Sequence, residues 1–108
     1  MKMVWQISVS SPMEFRYGNC IAAPAIVANG KYDFNTIEEA VACIPELQAK
    51  NPDDDYHIGP VEKLNCGYGH ADGPRRFFPG RLSVEANANN CNVSDWVRHR
   101  FGKVATAR

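Results

Sequence analysis

Three stretches of this chain carry residue types that can do chemistry. The first is Cys66-Gly67-Tyr68-Gly69-His70. A thiolate and an imidazole at this spacing could both reach one zinc ion, with Cys43, Cys91 or His57 completing the set. A structural zinc site takes four ligands, usually as two close pairs, and this stretch offers one loose pair. Cys66 and His70 also have the types of a nucleophile and its base. That chemistry needs an orienting group and oxyanion donors besides, and no signature of it surrounds them. No catalytic residue, metal or cofactor is therefore assigned.

The second stretch is Pro74-Arg75-Arg76-Phe77-Phe78-Pro79-Gly80-Arg81. Guanidinium groups pair with phosphates, and neighbouring aromatic rings stack on unpaired bases. Arg75, Arg76, Phe77, Phe78 and Arg81 are thus candidates for nucleic-acid contact. Arg98, His99, Arg100 and Lys103 would extend the basic surface if the last helix lies nearby. The plainer alternative is that one Phe anchors the loop in the core while the arginines are solvated.

The third is Asp53-Asp54-Asp55, followed closely by His57. The run lacks the alternating ligand spacing and the glycine of a calcium-binding EF-hand loop. It reads as a solvated turn, or as part of an acidic face with Asp33, Glu38, Glu39, Glu46 and Glu62. Such a face, centred on Glu38, Glu39, Glu46, Asp53, Asp54 and Asp55, would choose a basic protein partner and speed encounter more than it would add affinity.

The elements that must position these residues are clearest between Tyr32 and Leu64. Thr36 and Glu39 have capping-box spacing, as do Asn35 and Glu38 one residue earlier, and Ile37, Val41 and Ile44 form one apolar stripe with Ala40 beside it. Pro45 inside a helix would cost roughly 3 kcal/mol, so a break near Ile44 is expected, with Pro45 opening a second short turn. Asn51-Pro52 stops the helix. Tyr56 to Leu64 returns as a strand, and Gly59-Pro60 predicts an edge position or a bulge there.

Before this unit, Trp5, Ile7 and Val9 alternate with Gln6, Ser8 and Ser10, the period of a half-buried strand. Glu14-Phe15-Arg16-Tyr17 alternates in the same way. Asn29-Gly30 between two extended runs predicts a type I′ hairpin. After the unit, Asn65 to Gly80 reads as a long glycine- and proline-rich loop. Leu82, Val84 and Ala86 suggest a strand, and Asn87-Ala88-Asn89-Asn90 a polar connector. Val93, Trp96, Val97 and Phe101 have helical spacing, with Ser94 as a cap, Gly102 past the end and 103–108 as a frayed tail.

With 108 residues the chain is long enough for one modest core. It has no apolar run approaching roughly 18 residues, so no membrane span is expected. The N-terminus alternates instead of forming an apolar block, unlike a leader peptide. Cys20, Cys43, Cys66 and Cys91 are then simplest as reduced thiols in a cytoplasmic protein. Net charge is zero but unevenly placed: residues 33–62 carry eight acidic side chains and one lysine, and residues 63–108 eight basic and three acidic.

The expected fold is an α+β single domain, with an antiparallel sheet of about four to five strands and two helices packed on one side. The expected role is that of a small non-enzymatic binding protein, acting through a charged surface on a protein or nucleoprotein complex. Size and composition are analogous to phage or mobile-element inhibitors of host machinery, including anti-CRISPR and anti-restriction proteins. The rival reading is direct nucleic-acid binding through the Arg75–Arg81 stretch. A small enzyme or zinc protein using Cys66 and His70 is the third.

Overall fold

The computed structural model describes residues 2–17 and 24–102. Its elements are β1 (Lys2–Ser10), a 3₁₀ helix (Pro12–Tyr17), β2 (Ala25–Ile26), α1 (Ile37–Val41), α2 (Ile44–Lys50), β3 (Asp55–Leu64), β4 (Gly67–His70), β5 (Arg76–Phe78), α3 (Arg81–Ala88) and α4 (Val93–Phe101). The sheet is antiparallel throughout, in the order β2-β1-β3-β4, with β5 also paired to β3. The fold is α+β, and no described helix is long and apolar enough to cross a membrane.

The alternation in β1 sorts the two faces. Trp5, Ile7 and Val9 stand opposite Pro60, Ile58 and Tyr56 of β3. Ile7, Ile58 and Tyr56 are buried with Ala28, Phe34, Ala40 and Ile44, so this is the face that α1 and α2 cover. Thr36 caps α1 by accepting from the Glu39 N–H at 3.2 Å, and the Glu39 carboxylate reaches back to the Asn35 N–H at 3.1 Å. The chain breaks at Ala42-Cys43, and Pro45 sits in the first turn of α2, where its missing N–H costs nothing. Asn29 and Gly30, at φ 52° and 75°, make the two-residue turn between Ala28 and Lys31.

Several expectations from the sequence give way. β3 runs through Gly59-Pro60 without a break and is a central strand, not an edge. The Trp5 N–H and C=O both bond Phe34 and so point away from β3. Trp5 and Pro60 are therefore a non-hydrogen-bonded pair, and the Pro60 nitrogen points the other way. There it meets the gap between β5, which ends its pairing at Ile58, and β4, which begins at Val61. The ring removes a donor that no strand would have used.

Residues 65–80 do not form an irregular loop. Asn65-Cys66 is a tight turn into β4, and β5 follows. Their pattern is weak because β3 supplies the partner and most of these side chains stay exposed. Glu14–Tyr17 lies in the 3₁₀ helix instead of a strand. The proposed strand at Leu82, Val84 and Ala86 is helix α3: Leu82 and Ala86, one turn apart, are buried, and Val84 is exposed. Its end is a Schellman motif. Asn90 takes the left-handed conformation at φ 53°, Cys91 N–H bonds Ala86 C=O, and Asn90 N–H bonds Asn87 C=O. The cap of α4 is Asn92, which accepts from Asp95 N–H at 2.8 Å; Ser94 only donates to the Asn92 side chain. The tail at 103–108 lies outside the described residues.

α3 and α4 bury Leu82, Ala86 and Val97, with Pro12 of the 3₁₀ helix also buried. One carboxylate joins this second group of helices to the sheet. Asp55, 7 % exposed, accepts from the Gly80 N–H and the Ser83 hydroxyl, each at 2.7 Å. Gly80 is needed there, since a Cβ would lie 2.4 Å from the Asp54 carbonyl oxygen. Asp55→Ala strands two donors at the start of α3 and is expected to cost about 3 kcal/mol in urea unfolding, with Asp55→Asn less damaging. A loss within about 0.5 kcal/mol, the range of ordinary surface changes, would show that the joint is made elsewhere.

Candidate functional site

The face of the sheet opposite α1 and α2 is built by the other parity of the same strands. Pairing places Val4, Gln6 and Ser8 beside Val61, Gly59 and His57. On β3's other side, Phe77 pairs with His57, and Arg75 lies two residues further along. Phe77 is 51 % exposed and its ring lies 4.6 Å from the His57 ring. The Arg75 guanidinium lies over Gly59, where a Cβ would come within 2.6 Å of its Nη1. Gln6, Ser8, His57, Gly59, Val61 and Arg75 border a cleft of about 120 Å³.

One end of this face is tied across the sheet. Asp33, beside the Phe34–Trp5 bridge, accepts from Gln6 Nε2 at 3.0 Å and from the Tyr68 hydroxyl at 3.1 Å, and pairs with Lys63 at 3.2 Å. The Tyr32 and Tyr68 rings lie 5.8 Å apart beside it. Strand β4 is thereby drawn toward the hairpin beyond β1, which curls the sheet. Burial by itself would raise the Asp33 pKa, but the hydrogen bonds from Gln6, Lys63 and Tyr68 together outweigh it and hold the carboxyl below its ordinary value.

The basic-aromatic stretch is divided by strand parity. Arg75 and Phe77 belong to this face. Arg76 and Phe78 belong to the other, where Phe78 packs on the core and the Arg76 guanidinium lies 5.4 Å above its ring. Arg81 is in α3 and pairs with Asp53 at 2.9 Å. Arg98 and Arg100 are engaged by Asp95 and Glu85, and α4 packs on the 3₁₀ helix and α3. Lys103 lies outside the described residues.

The acidic set is divided too. Glu38 and Glu39 are exposed in the first turn of α1, and Glu46 in the first turn of α2. The aspartates are held within the chain: Asp53 by Arg81, Asp54 by the Ser11 hydroxyl at 2.9 Å, and Asp55 by Gly80 and Ser83. Burial pushes the Asp54 carboxyl up, the Ser11 hydrogen bond opposes this, and Asp53 and Asp55 raise it further.

Cys66 is exposed at the β3–β4 turn, and His70 contacts Asp72 at 3.2 Å on the surface. The Cys43 thiol, which burial pushes up, donates to the Glu39 carbonyl at 3.7 Å. Cys91 is partly buried, and Cys20 lies outside the described residues. Among the described residues no three His, Cys, Asp or Glu side chains converge on a point that could hold a metal ion.

Sequence reasoning missed His57, Gly59, Gln6 and Ser8 as companions of Arg75 and Phe77. The signal available was parity: once Ile7 and Ile58 are assigned to the core, Gln6, Ser8, His57 and Gly59 share the reverse face. The Asp33–Tyr68 tie had no such signal, because it joins residues 35 positions apart.

These features define a small α+β protein in which one face of a curled antiparallel sheet is not covered by α1 and α2 and presents exposed cationic and aromatic groups around the buried Val4 and Gln6. Compared with protein-family models, curated proteins and solved structures, the chain gives no significant match.

Asp33 generates a prediction with a definite sign. A carboxyl with a folded pKa below its ordinary value of 3.8 stabilises the fold fully above that value. The contribution is lost as pH falls through the lower folded pKa. The stability gap between wild type and Asp33→Asn should therefore be largest at neutral pH and close in acid below 3.8. Thermal melts of both proteins across that range measure it; a gap independent of pH would contradict the assignment.

Proposed function

We propose that this chain is a small non-enzymatic binding protein, and that its open sheet face takes single-stranded nucleic acid. One observation carries the reading: the half-exposed Phe77 ring, tilted at 48° against the His57 ring, shares its face with an Arg75 guanidinium that meets no carboxylate among the described residues. An aromatic platform with an adjacent cation suits an unpaired base and its phosphate, whereas duplex bases are already stacked. Lys2 and Lys63, further along the same face, add positive potential, part of which Asp33 neutralises. This is the surface half of the Arg75–Arg81 stretch, joined by residues from β1 and β3.

A second reading rests on Glu38, Glu39 and Glu46, exposed on α1 and α2 and in no ion pair among the described residues. They would face a basic protein surface that otherwise holds nucleic acid, as an inhibitor of anti-CRISPR or anti-restriction type would. Asp53, Asp54 and Asp55 have internal partners and contribute less to such a face.

Fluorescence anisotropy with labelled oligouridylate and oligothymidylate, against a duplex of equal length, tests the first reading. Single strands should bind in preference to the duplex, and Phe77→Ala should weaken binding by about tenfold, the scale of one lost base stack. Arg75→Glu should also lower the slope of log affinity against log salt by about 0.7 or more. No binding by the wild type, together with a lysate protein retained after nuclease and lost in Glu38→Lys/Glu46→Lys, would replace this reading with the second.

A further inference from the structure

The geometry points to the cleft beside Arg75 as a seat for one unpaired nucleobase, in which Gly59 is the positioning residue that lets the arginine close over it. This rests on the nucleic-acid reading and adds to it a defined subsite. A cofactor or drug-sized ligand takes about 300 Å³ or more. This recess, at about 120 Å³, suits a single planar ring system. Its walls carry the polar groups that a base edge needs. Gln6, 9 % exposed at the floor of the cleft, is fixed by donating its amide to Asp33, and its carbonyl oxygen makes no hydrogen bond among the described residues. The Ser8 hydroxyl is equally without a partner among them. Gln6 and Ser8 thus offer an acceptor and a donor-acceptor from one strand, a pattern that reads an exposed Watson–Crick edge.

Gly59 is the reason Arg75 can lie where it does. Any side chain at this position would meet the guanidinium, with Nη1 at 2.6 Å and Cζ at 3.6 Å from the added Cβ. The opposing groups are the flexible end of one arginine, so an added methyl lifts that arginine and need not displace the strand. Gly59 is also not among the positive-φ residues, so alanine can adopt its backbone. The Ala71 carbonyl, 3.5 Å from Nη2, is the guanidinium's other neighbour. A planar fork lying against Gly59 can stack on a base and bond its phosphate through two N–H groups, whereas a lysine can bond the phosphate but has no plane to stack.

The test is oligouridylate and oligothymidylate titration of five full-length proteins: wild type, Gly59→Ala, Arg75→Ala, Arg75→Lys and the Gly59→Ala/Arg75→Ala double variant, with melting temperatures alongside. The expected result is a loss of about tenfold for Arg75→Ala, nearly as large a loss for Gly59→Ala and for Arg75→Lys, and no further loss in the Gly59→Ala/Arg75→Ala double variant. If the wild type binds and both Gly59→Ala and Arg75→Lys bind equally well, the arginine is only a point charge. The subsite is then overturned while the nucleic-acid reading stands. If the wild type binds neither oligonucleotide, both fall together. Should Gly59→Ala melt early, Arg75→Lys decides alone, since its side chain is exposed and its replacement leaves β3 intact. Oligodeoxyuridylate, which has the base of the one probe and the sugar of the other, separates the two: stronger retention of the uridylate than of the deoxyuridylate assigns the ribose form as the ligand, and the reverse the deoxyribose form.

Discussion

The nine-residue antiparallel ladder between β1 and β3 is the constraint on which the rest depends. Side chains alternate across a strand, so one register decides what both faces carry, and a slip by one residue would exchange them. In the observed register Ile7 meets Ile58 and Val9 meets Tyr56, which supplies the apolar face for α1 and α2. The same pairing sets Gln6 beside Gly59 and Ser8 beside His57 on the reverse. The core and the candidate site are therefore two consequences of one alignment. Pro60 agrees with it as well, because its missing N–H falls where β3 has no neighbour.

The aspartate run shows how a feature of surface composition can become internal structure. Three adjacent carboxylates would repel each other on a solvated turn with nothing to bind. Here each has a different partner: Arg81, the Ser11 hydroxyl, and the Gly80 and Ser83 pair. Asp55 lies deepest and fixes where α3 begins. α3 then sets the direction of α4, with Glu85 accepting from the Trp96 indole and pairing with Arg100. Hydrogen bonds from Trp96 and Arg100 hold the Glu85 carboxyl below its ordinary value, against the opposing effect of burial. Two ion pairs, Asp33–Lys63 and Asp53–Arg81, join the acidic segment of the sequence to the basic one.

Because α1 and α2 cover one face only, and α3 begins at the Asp55 end, His57, Arg75 and Phe77 on the reverse face stay exposed, while Val4 and Gln6 beside them are buried. The contents of that face are unlike those of the core: a histidine, a glycine, an arginine, a phenylalanine, a serine and a glutamine. Asp33 limits this face on one side by drawing Tyr68 and Lys63 toward Gln6. The tie curls the sheet and fixes the Gln6 amide, so the same contacts that shape the face also orient one of its polar groups.

The chain itself determined whatever depends on near neighbours. The strand period of β1, the capping spacing of Thr36 and Glu39, the break at Pro45 and the Asn29-Gly30 turn are local, and each was legible because its partner lies within a few residues. Where the deciding contact is distant, the same reasoning went astray. Leu82, Val84 and Ala86 alternate like a strand, yet Asp55, accepting from Gly80 and Ser83, starts a helix there. Gly59 and Pro60 resemble an interruption, yet the gap between β4 and β5 accommodates them. Arg75 through Phe78 reads as one basic-aromatic run, but only its pairing with β3 sends Arg75 and Phe77 to one face and Arg76 and Phe78 to the other. Local sequence specifies the period of an element and its ends. Which face meets solvent, and which residues from other strands stand on it, is decided by register and burial between segments far apart in the chain.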